Sequence, residues 1–392
     1  MPGFKTNLKI RLSPSELQII KKVSIISISA CIFLIAASWG YHALKIRLKA
    51  SAEASSKQKV YELLPIDLEA HLLTAQRYLR SGNPEKAIPH LQRIIPLKKY
   101  DFEVRKTLAD AYLEAGYFQE ALQQYTFLIE QQPPESLAAE VCARRGISLY
   151  YSGNLEQSAT SLTECLSRYP GSAEAACFMG QIEASINPQS PKILEYLENA
   201  LKYDSSYVEA WYQLSRYHMQ LNDYLKARVL LVHALELDPL HAKSHSRLGM
   251  IYYYMSMPDL SRASYQTALA INPEDFNTRY NLGELYYCLT ADTALALEEY
   301  KKAVSQHPGH VEANFKIGMI CLRNGMLKEA VRYFEQAVKY DQNNIRILLQ
   351  LAVAFEKLEL IDRAIETYRR ILAIDNLNSI AKQKIRLLIE SR

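Results

Sequence analysis

Over residues 311–341 apolar side chains recur every third or fourth position in two runs, 311–323 and 327–339, joined by Asn324-Gly325-Met326. That spacing predicts two amphipathic helices, and the polar break predicts a tight reversal between them. Gly325 stands where the chain must turn, because a residue without Cβ takes left-handed dihedrals cheaply. Gly318 and Ala330 are small, which lets the two backbones approach closely, while Ile317, Cys321, Phe334 and Ala337 fall on the faces that meet. One such hairpin cannot bury its own apolar surface, so it needs neighbours of the same kind.

The chain supplies them at a period near thirty-four residues. Residues 277–308 repeat the template with Leu282-Gly283, Tyr286, Ala296, Tyr300, Ala303 and Pro308. Residues 242–273 repeat it with Leu248-Gly249, Tyr252, Tyr265, Ala268 and Pro273. Residues 208–239 carry Trp211, Leu214, Ala227, Leu231, Ala234 and Pro239, and residues 102–133 carry Ala109, Tyr112, Gly116, Ala121, Tyr125 and Pro133. Residues 139–170 and 173–205 are weaker copies that keep Gly146 and Gly180 but lose some alanines. Residues 68–99 open the series and 345–376 close it, which makes nine copies. Unrelated helical hairpins would not keep a fixed period.

This pattern resembles the tetratricopeptide repeat family over residues 66–376. The resemblance implies an all-α fold, a right-handed α-solenoid of helical hairpins, with residues 377–392 as a polar-backed capping helix. It also implies that the first helix of each hairpin lines a concave groove at its second, fifth, ninth, twelfth and thirteenth positions. Transferred to this chain, that groove comprises Tyr150, Tyr151, Tyr212, Arg216, Met219, Met250, Tyr253, Tyr254, Tyr280, Glu284, Tyr287, Phe315, Met319 and Arg323. Tyr and Met are favoured at binding surfaces for their contact area and adaptability, and Arg216 and Glu284 would act as isolated polar contacts. Each of these rings has an alternative use, as packing between helices. The Lys-and-Asn clamp by which some family members hold a free carboxylate is not matched, since Lys106 is followed by Asp110 where the Asn would stand.

The amino-terminal part has a different pattern. Residues 1–22 form a basic tail, with Ser13-Pro14-Ser15-Glu16 arranged as a capping box. Residues 23–44 contain no Asp, Glu, Lys or Arg and as a helix would measure ~33 Å, enough to cross a hydrocarbon core of ~30 Å. Trp39 and Tyr41 stand at its far end, where interfacial rings are favoured. We read one transmembrane helix in the lipid bilayer. A cleavable signal ending near Ala36-Ala37-Ser38 and a lipoprotein box at Ile28-Ser29-Ala30-Cys31 are the rival readings of the same stretch. Residues 45–65 form a basic Ala/Ser-rich connector, either laid on headgroups or solvated. Five Lys or Arg on each side of the span leave the charge rule tied. Because large carboxy-terminal domains translocate largely regardless of charge, the expected topology has the amino terminus in the cytoplasm and the repeats on the outer, periplasmic side of the inner membrane.

Charge and cysteine usage narrow the function. Of the net charge of +4, residues 1–60 account for +8, which leaves the repeats at −4. The basic residues thus flank the apolar segment and do not form a nucleic-acid footprint. None of the six cysteines makes a C-x-x-C pair, and Cys142, Cys165, Cys177, Cys288 and Cys321 fit small buried thiols. His241 and His245 have the one-turn spacing of a zinc pair but lack a third ligand nearby. No phosphate-binding glycine loop, nucleophile elbow or acid–base pair is recognisable, so neither a cofactor nor catalysis is expected. The expected function is a membrane-anchored scaffold for other proteins in an envelope assembly, with a holder of client polypeptides as the alternative.

Overall fold

A computed structural model of the chain describes residues 65–98 and 100–390. The tail, the apolar segment at 23–44 and nearly all of the connector lie outside the described residues. Among the described residues no helix is long and apolar enough to cross a membrane.

Nineteen helices and no strand occur in this part of the chain. They are α1 (Pro65–Arg80), α2 (Pro84–Ile94), α3 (Phe102–Glu114), α4 (Phe118–Glu130), α5 (Glu135–Tyr151), α6 (Leu155–Arg168), α7 (Ala173–Ile186), α8 (Lys192–Tyr203), α9 (Val208–Gln220) and α10 (Tyr224–Leu237). There follow α11 (Ala242–Tyr254), α12 (Pro258–Ile271), α13 (Phe276–Cys288), α14 (Thr293–Gln306), α15 (Val311–Arg323), α16 (Leu327–Tyr340), α17 (Ile345–Lys357), α18 (Ile361–Ile374) and α19 (Ser379–Glu390). Packing divides them into two compact units, one ending at Gln124 and one beginning at Tyr125.

In the second unit the odd-numbered and the following even-numbered helix form hairpins, which we number from three (α5–α6) to nine (α17–α18). First helices of successive hairpins touch one another, α5 with α7, α7 with α9, α9 with α11 and α11 with α13, and so form a layer. Each second helix packs between its own first helix and that of the next hairpin. In the first unit α2 packs against α3 in the same manner.

The small residues serve a purpose different from the expected one. A Cβ placed on Gly318 would meet Cε1 of Phe334 at 2.6 Å, and one on Gly283 or Gly249 would meet the ring of Tyr300 or Tyr265 at 2.6 and 2.7 Å. The glycine of the first helix is therefore a seat for a large ring from the second helix, which is 0–1 % exposed, and not a point of backbone contact. In hairpins three and four Leu162 and Leu197 take the ring's place over Gly146 and Gly180. The missing alanines have a similar explanation. Ser158 and Ser261, small and fully buried, donate hydrogen bonds to the carbonyls of Gly146 and Gly249 at 2.7 and 2.8 Å. A serine there keeps close packing because its hydroxyl is satisfied.

Gly325 has φ +76°, as its place in the turn requires, and Asn222, Ser256, Ala291 and Glu359 hold the same left-handed conformation in hairpins five, six, seven and nine. Side-chain N-caps open several helices of the second unit, among them α10, α13 and α17. Asp223 accepts from the Lys226 amide, Asp275 from the Asn277 and Thr278 amides, and Asn344 from the Ile347 amide, each satisfying an orphan donor of the first turn.

Candidate functional site

The layer of first helices in the second unit carries the side chains expected to bind a partner, and the structure sorts them into three groups. The first group is exposed or half-exposed. Tyr150 and Tyr151 from α5 meet edge to face at 5.3 Å, and both lean on Phe178 of α7 at 5.7 and 5.9 Å. Tyr253 and Tyr254 from α11 repeat that arrangement at 5.5 Å. Met219, Met250 and Met319 are half-buried beside the core. Tyr254 is 54 % exposed, yet it stacks on Tyr224 of α10 at 5.3 Å, so it stands at the edge of the layer, against a second helix.

The second group is engaged by other side chains of the same helix, the same hairpin or the next hairpin. Tyr280 of α13 lies between Tyr300 and His310, at 5.6 and 4.8 Å. Glu284 accepts a hydrogen bond from the Tyr300 hydroxyl and pairs with Lys316 of α15 at 2.9 Å. The Lys316 ammonium also stands 5.0 Å over the Tyr287 ring, and Arg323 donates to the Tyr287 hydroxyl at 3.0 Å. Arg216 donates to Gln213 at 2.7 Å. The expectation that Arg216 and Glu284 are isolated contacts is therefore corrected, because one already answers a same-helix amide and the other a cross-hairpin ion pair. Burial, followed by the Glu284 charge, pushes the Tyr280 hydroxyl upward; burial, followed by its hydrogen bond to Glu284, does the same at Tyr300. Both stay neutral donors.

The third group is buried. Tyr212 is 8 % and Phe315 6 % exposed. His241 meets Tyr212 edge-on at 5.6 Å and Arg247 donates to its hydroxyl at 3.2 Å, while Arg346 covers the Phe315 ring at 4.3 Å. Each ring lies under residues of the next hairpin and is largely removed from water. Phe315 packs in the core, whereas Tyr212, though largely buried, still borders the groove that crosses α9, α11 and α13.

An open groove of about 550 Å³ crosses α9, α11 and α13 and ends at His310. Its lining includes the expected Tyr212, Met250 and Tyr280, together with Lys243, Ser246, Arg247, Asp275, Asn277 and Asn281. These polar residues are not among those the aromatic pattern in the sequence singles out. The signal was present, since Lys243 and Ser246 occupy the second and fifth positions of their helix, where the family places groove residues. The site is consequently more polar and more cationic than a Tyr/Met stripe. It suits a segment with apolar side chains and a few acceptors, such as carbonyls or carboxylates.

His310 both lines this groove and caps α15, its Nδ1 accepting from the Ala313 amide at 3.2 Å. That geometry requires an unprotonated Nδ1. Burial, followed by neighbouring His307, holds its pKa below the ordinary 6.5. The folded state thus binds fewer protons than the unfolded state, so stability is complete above about pH 6.5 and falls as pH drops through the lowered folded value. His310→Asn keeps a capping acceptor without a titrating ring. Its unfolding midpoint should therefore fall less than that of the wild type between about pH 7 and pH 5. Equal pH profiles by thermal denaturation would show that His310 is not a source of the acid sensitivity.

The other chemical candidates do not assemble. His241 turns to Ser244 at 2.7 Å and His245 to the Pro239 carbonyl at 3.0 Å, so the two rings do not converge. Among the described residues no group of three or more His, Cys, Asp or Glu is placed to hold a metal ion. Cys142, Cys165, Cys177 and Cys321 are buried as expected, whereas Cys288 is exposed. Lys106 is tied to Asp110 at 3.0 Å.

Comparison with known proteins agrees with this geometry. Tetratricopeptide repeat models match residues 144–172, 208–241, 242–275, 290–345 and 321–384. The type IV pilus assembly protein PilF of Pseudomonas aeruginosa is 25% identical over 163 residues, 40% of this chain and 63% of that protein. The DnaJ homolog subfamily C member 3 of Gallus gallus is 23% identical over 338 residues, 81% of this chain and 60% of that protein. The chain thus spans less than two thirds of the length of either relative. The crystal structure of the APC/C hetero-tetramer Cut9-Hcn1 superposes with a TM-score of 0.58 at 17% identity, over 78% of this chain and 59% of that one. The fixed period, the glycine-seated rings and the matched models together place the chain in the tetratricopeptide repeat family, an all-α scaffold for protein–protein interaction.

Proposed function

We propose that this protein is a membrane-anchored scaffold that holds a segment of another protein along the layer of first helices in hairpins five to eight, and that it serves an assembly of the bacterial envelope. The observation that carries the reading is the open groove across α9, α11 and α13. The helices α11 and α13 that it crosses also carry Tyr253 and Tyr287, rings that no neighbouring hairpin buries completely. Anchoring rests on residues 23–44, which have the length and composition of a single span. The likeness to a pilus assembly protein supports the envelope setting. The partner is a polypeptide segment carrying apolar anchors and acceptor groups, which the aromatic rings and the Lys243, Arg247 and Asn277 side chains would meet.

A photocrosslinking amino acid placed at Met250, in the groove, should capture a discrete protein partner in native membranes. The same group at Glu366, on the outer side of α18, should not capture that protein. Capture of the same protein from both positions, or of none from Met250, would contradict the reading. Protease added to spheroplasts should degrade the repeats, and protection would place them in the cytoplasm instead.

A further inference from the structure

Two outward positions of the second helices are charged in hairpins seven, eight and nine but apolar in α10. In hairpins seven, eight and nine these exposed positions carry Glu298 and Lys301, Arg332 and Glu335, and Glu366 and Arg369. The corresponding positions of α10 are Val229 and Val232, 61 % and 42 % exposed, preceded by Leu225 at 62 %. Leu225, Val229 and Val232 follow one another at helical spacing and so form a single stripe, and Leu240, 72 % exposed, extends it beyond the helix end. Val229 and Val232 also line an open, mainly apolar groove of about 470 Å³ flanked by Trp211 and Tyr252. Repeats of the same chain show what this face looks like when it meets only water, and α10 departs from it. Contiguous exposed apolar surface of this kind marks an interaction site.

The charges beside the stripe say what covers it. Arg228 and Glu236 stand four residues before and four residues after Val232, and both line the groove. Lys226 and Asp238 stand six residues before and after it. Rotation about a two-fold axis through Val232 sets the helix antiparallel to its own copy and brings each Arg228 opposite the Glu236 of the other chain. A helix face is complementary to itself in this way only if its apolar and charged positions are symmetric about one point, as an isologous interface demands. Within one chain Glu236 stands 3.1 Å from His233.

We propose that α10 is a homodimerisation face, on which two copies of this chain pair antiparallel about Val232. This surface lies on the second helices and is separate from the groove proposed for a partner protein, so the two can be tested independently. Stable interfaces bury roughly 800 Å² per partner. A fourteen-residue helix is only ~21 Å long, so the pairing belongs to the weak, concentration-dependent class.

Sedimentation equilibrium of the detergent-solubilised full chain should show reversible dimers within a range up to about 100 μM. Val229→Glu should abolish them. Arg228→Glu alone and Glu236→Arg alone each oppose like charges at both ends of the two-fold pair, and each should weaken dimerisation at least about tenfold. The double variant Arg228→Glu with Glu236→Arg restores opposite charges and should recover the wild-type constant. All three positions are exposed or half-exposed, and unchanged circular dichroism would exclude misfolding as the cause. A chain that stays monomeric across the range overturns the proposal, as do dimers indifferent to Val229→Glu. Failure of the double variant to recover what the single reversals lose overturns the antiparallel pairing.

Discussion

Gly318→Leu is expected to destabilise hairpin eight by ~3 kcal/mol, the upper end of what overpacking of a close-packed core usually costs. The Cβ alone would fall 2.6 Å from the Phe334 ring, which is itself fully buried among Ile317, Cys321, Ala330 and the helices of hairpin nine. The ring cannot swing aside without vacating that core, so the helices must part. Gly318→Ala should be milder, ~1 kcal/mol, because hairpin nine natively places Ala352 at the equivalent position and still buries Tyr368. Repeats couple chiefly to their neighbours. Hydrogen exchange should therefore show protection lost first in hairpins seven to nine and last in hairpin three. Uniform loss along the second unit would mean that the stack unfolds as one cooperative body.

Tyr253→Ala combined with Tyr287→Ala is expected to weaken binding of a captured partner by more than about tenfold while leaving the thermal midpoint nearly unchanged, because truncating a true anchor costs at least ~2 kcal/mol. Both rings are half-buried. Tyr253 leans on Tyr254, and Tyr287 is braced by Lys316 and Arg323. They are thus held in place at little further entropic cost, yet keep free surface. Reversing Glu209 and Glu312 should do much less. Glu209 answers Gln213 at 2.6 Å and Glu312 answers Arg346, and the array's charge of −4 gives little field beyond a screening length of ~8 Å. Titration calorimetry on the two pairs decides the matter. Greater damage from the charge reversals, or collapse of binding at moderate salt, would move the partner to a charged surface. Tyr212 and Phe315 are not suitable for this test, since truncating them would open cavities in the core.

Helical periodicity and a fixed repeat length determined much of this protein before any coordinates. The turn at Gly325, the helices at 311–323 and 327–339 and the small residues facing them all follow from local rules, because each hairpin is built from neighbours in sequence. The same rules explain why Phe334 and Tyr300 were legible as core. Tertiary structure decided what those rules leave open. Periodicity tells which face of a helix a residue is on, but a first helix here is flanked by helices of the preceding and following hairpins, so one apolar face divides into covered and open parts. Tyr212 and Tyr254 occupy expected groove positions alike, yet Arg247 and His241 cover the first while the second remains over half exposed. Glu284 reads as a lone charge in sequence and becomes the link between Tyr300 and Lys316, thirty-two residues on. The stripe on α10 is the converse case. Its Leu and Val residues have the helical spacing of a buried face, and only the packing of α9, α10 and α11 shows that their side of the helix has no cover among the described residues, because burial is a property of neighbours that lie outside the helix itself.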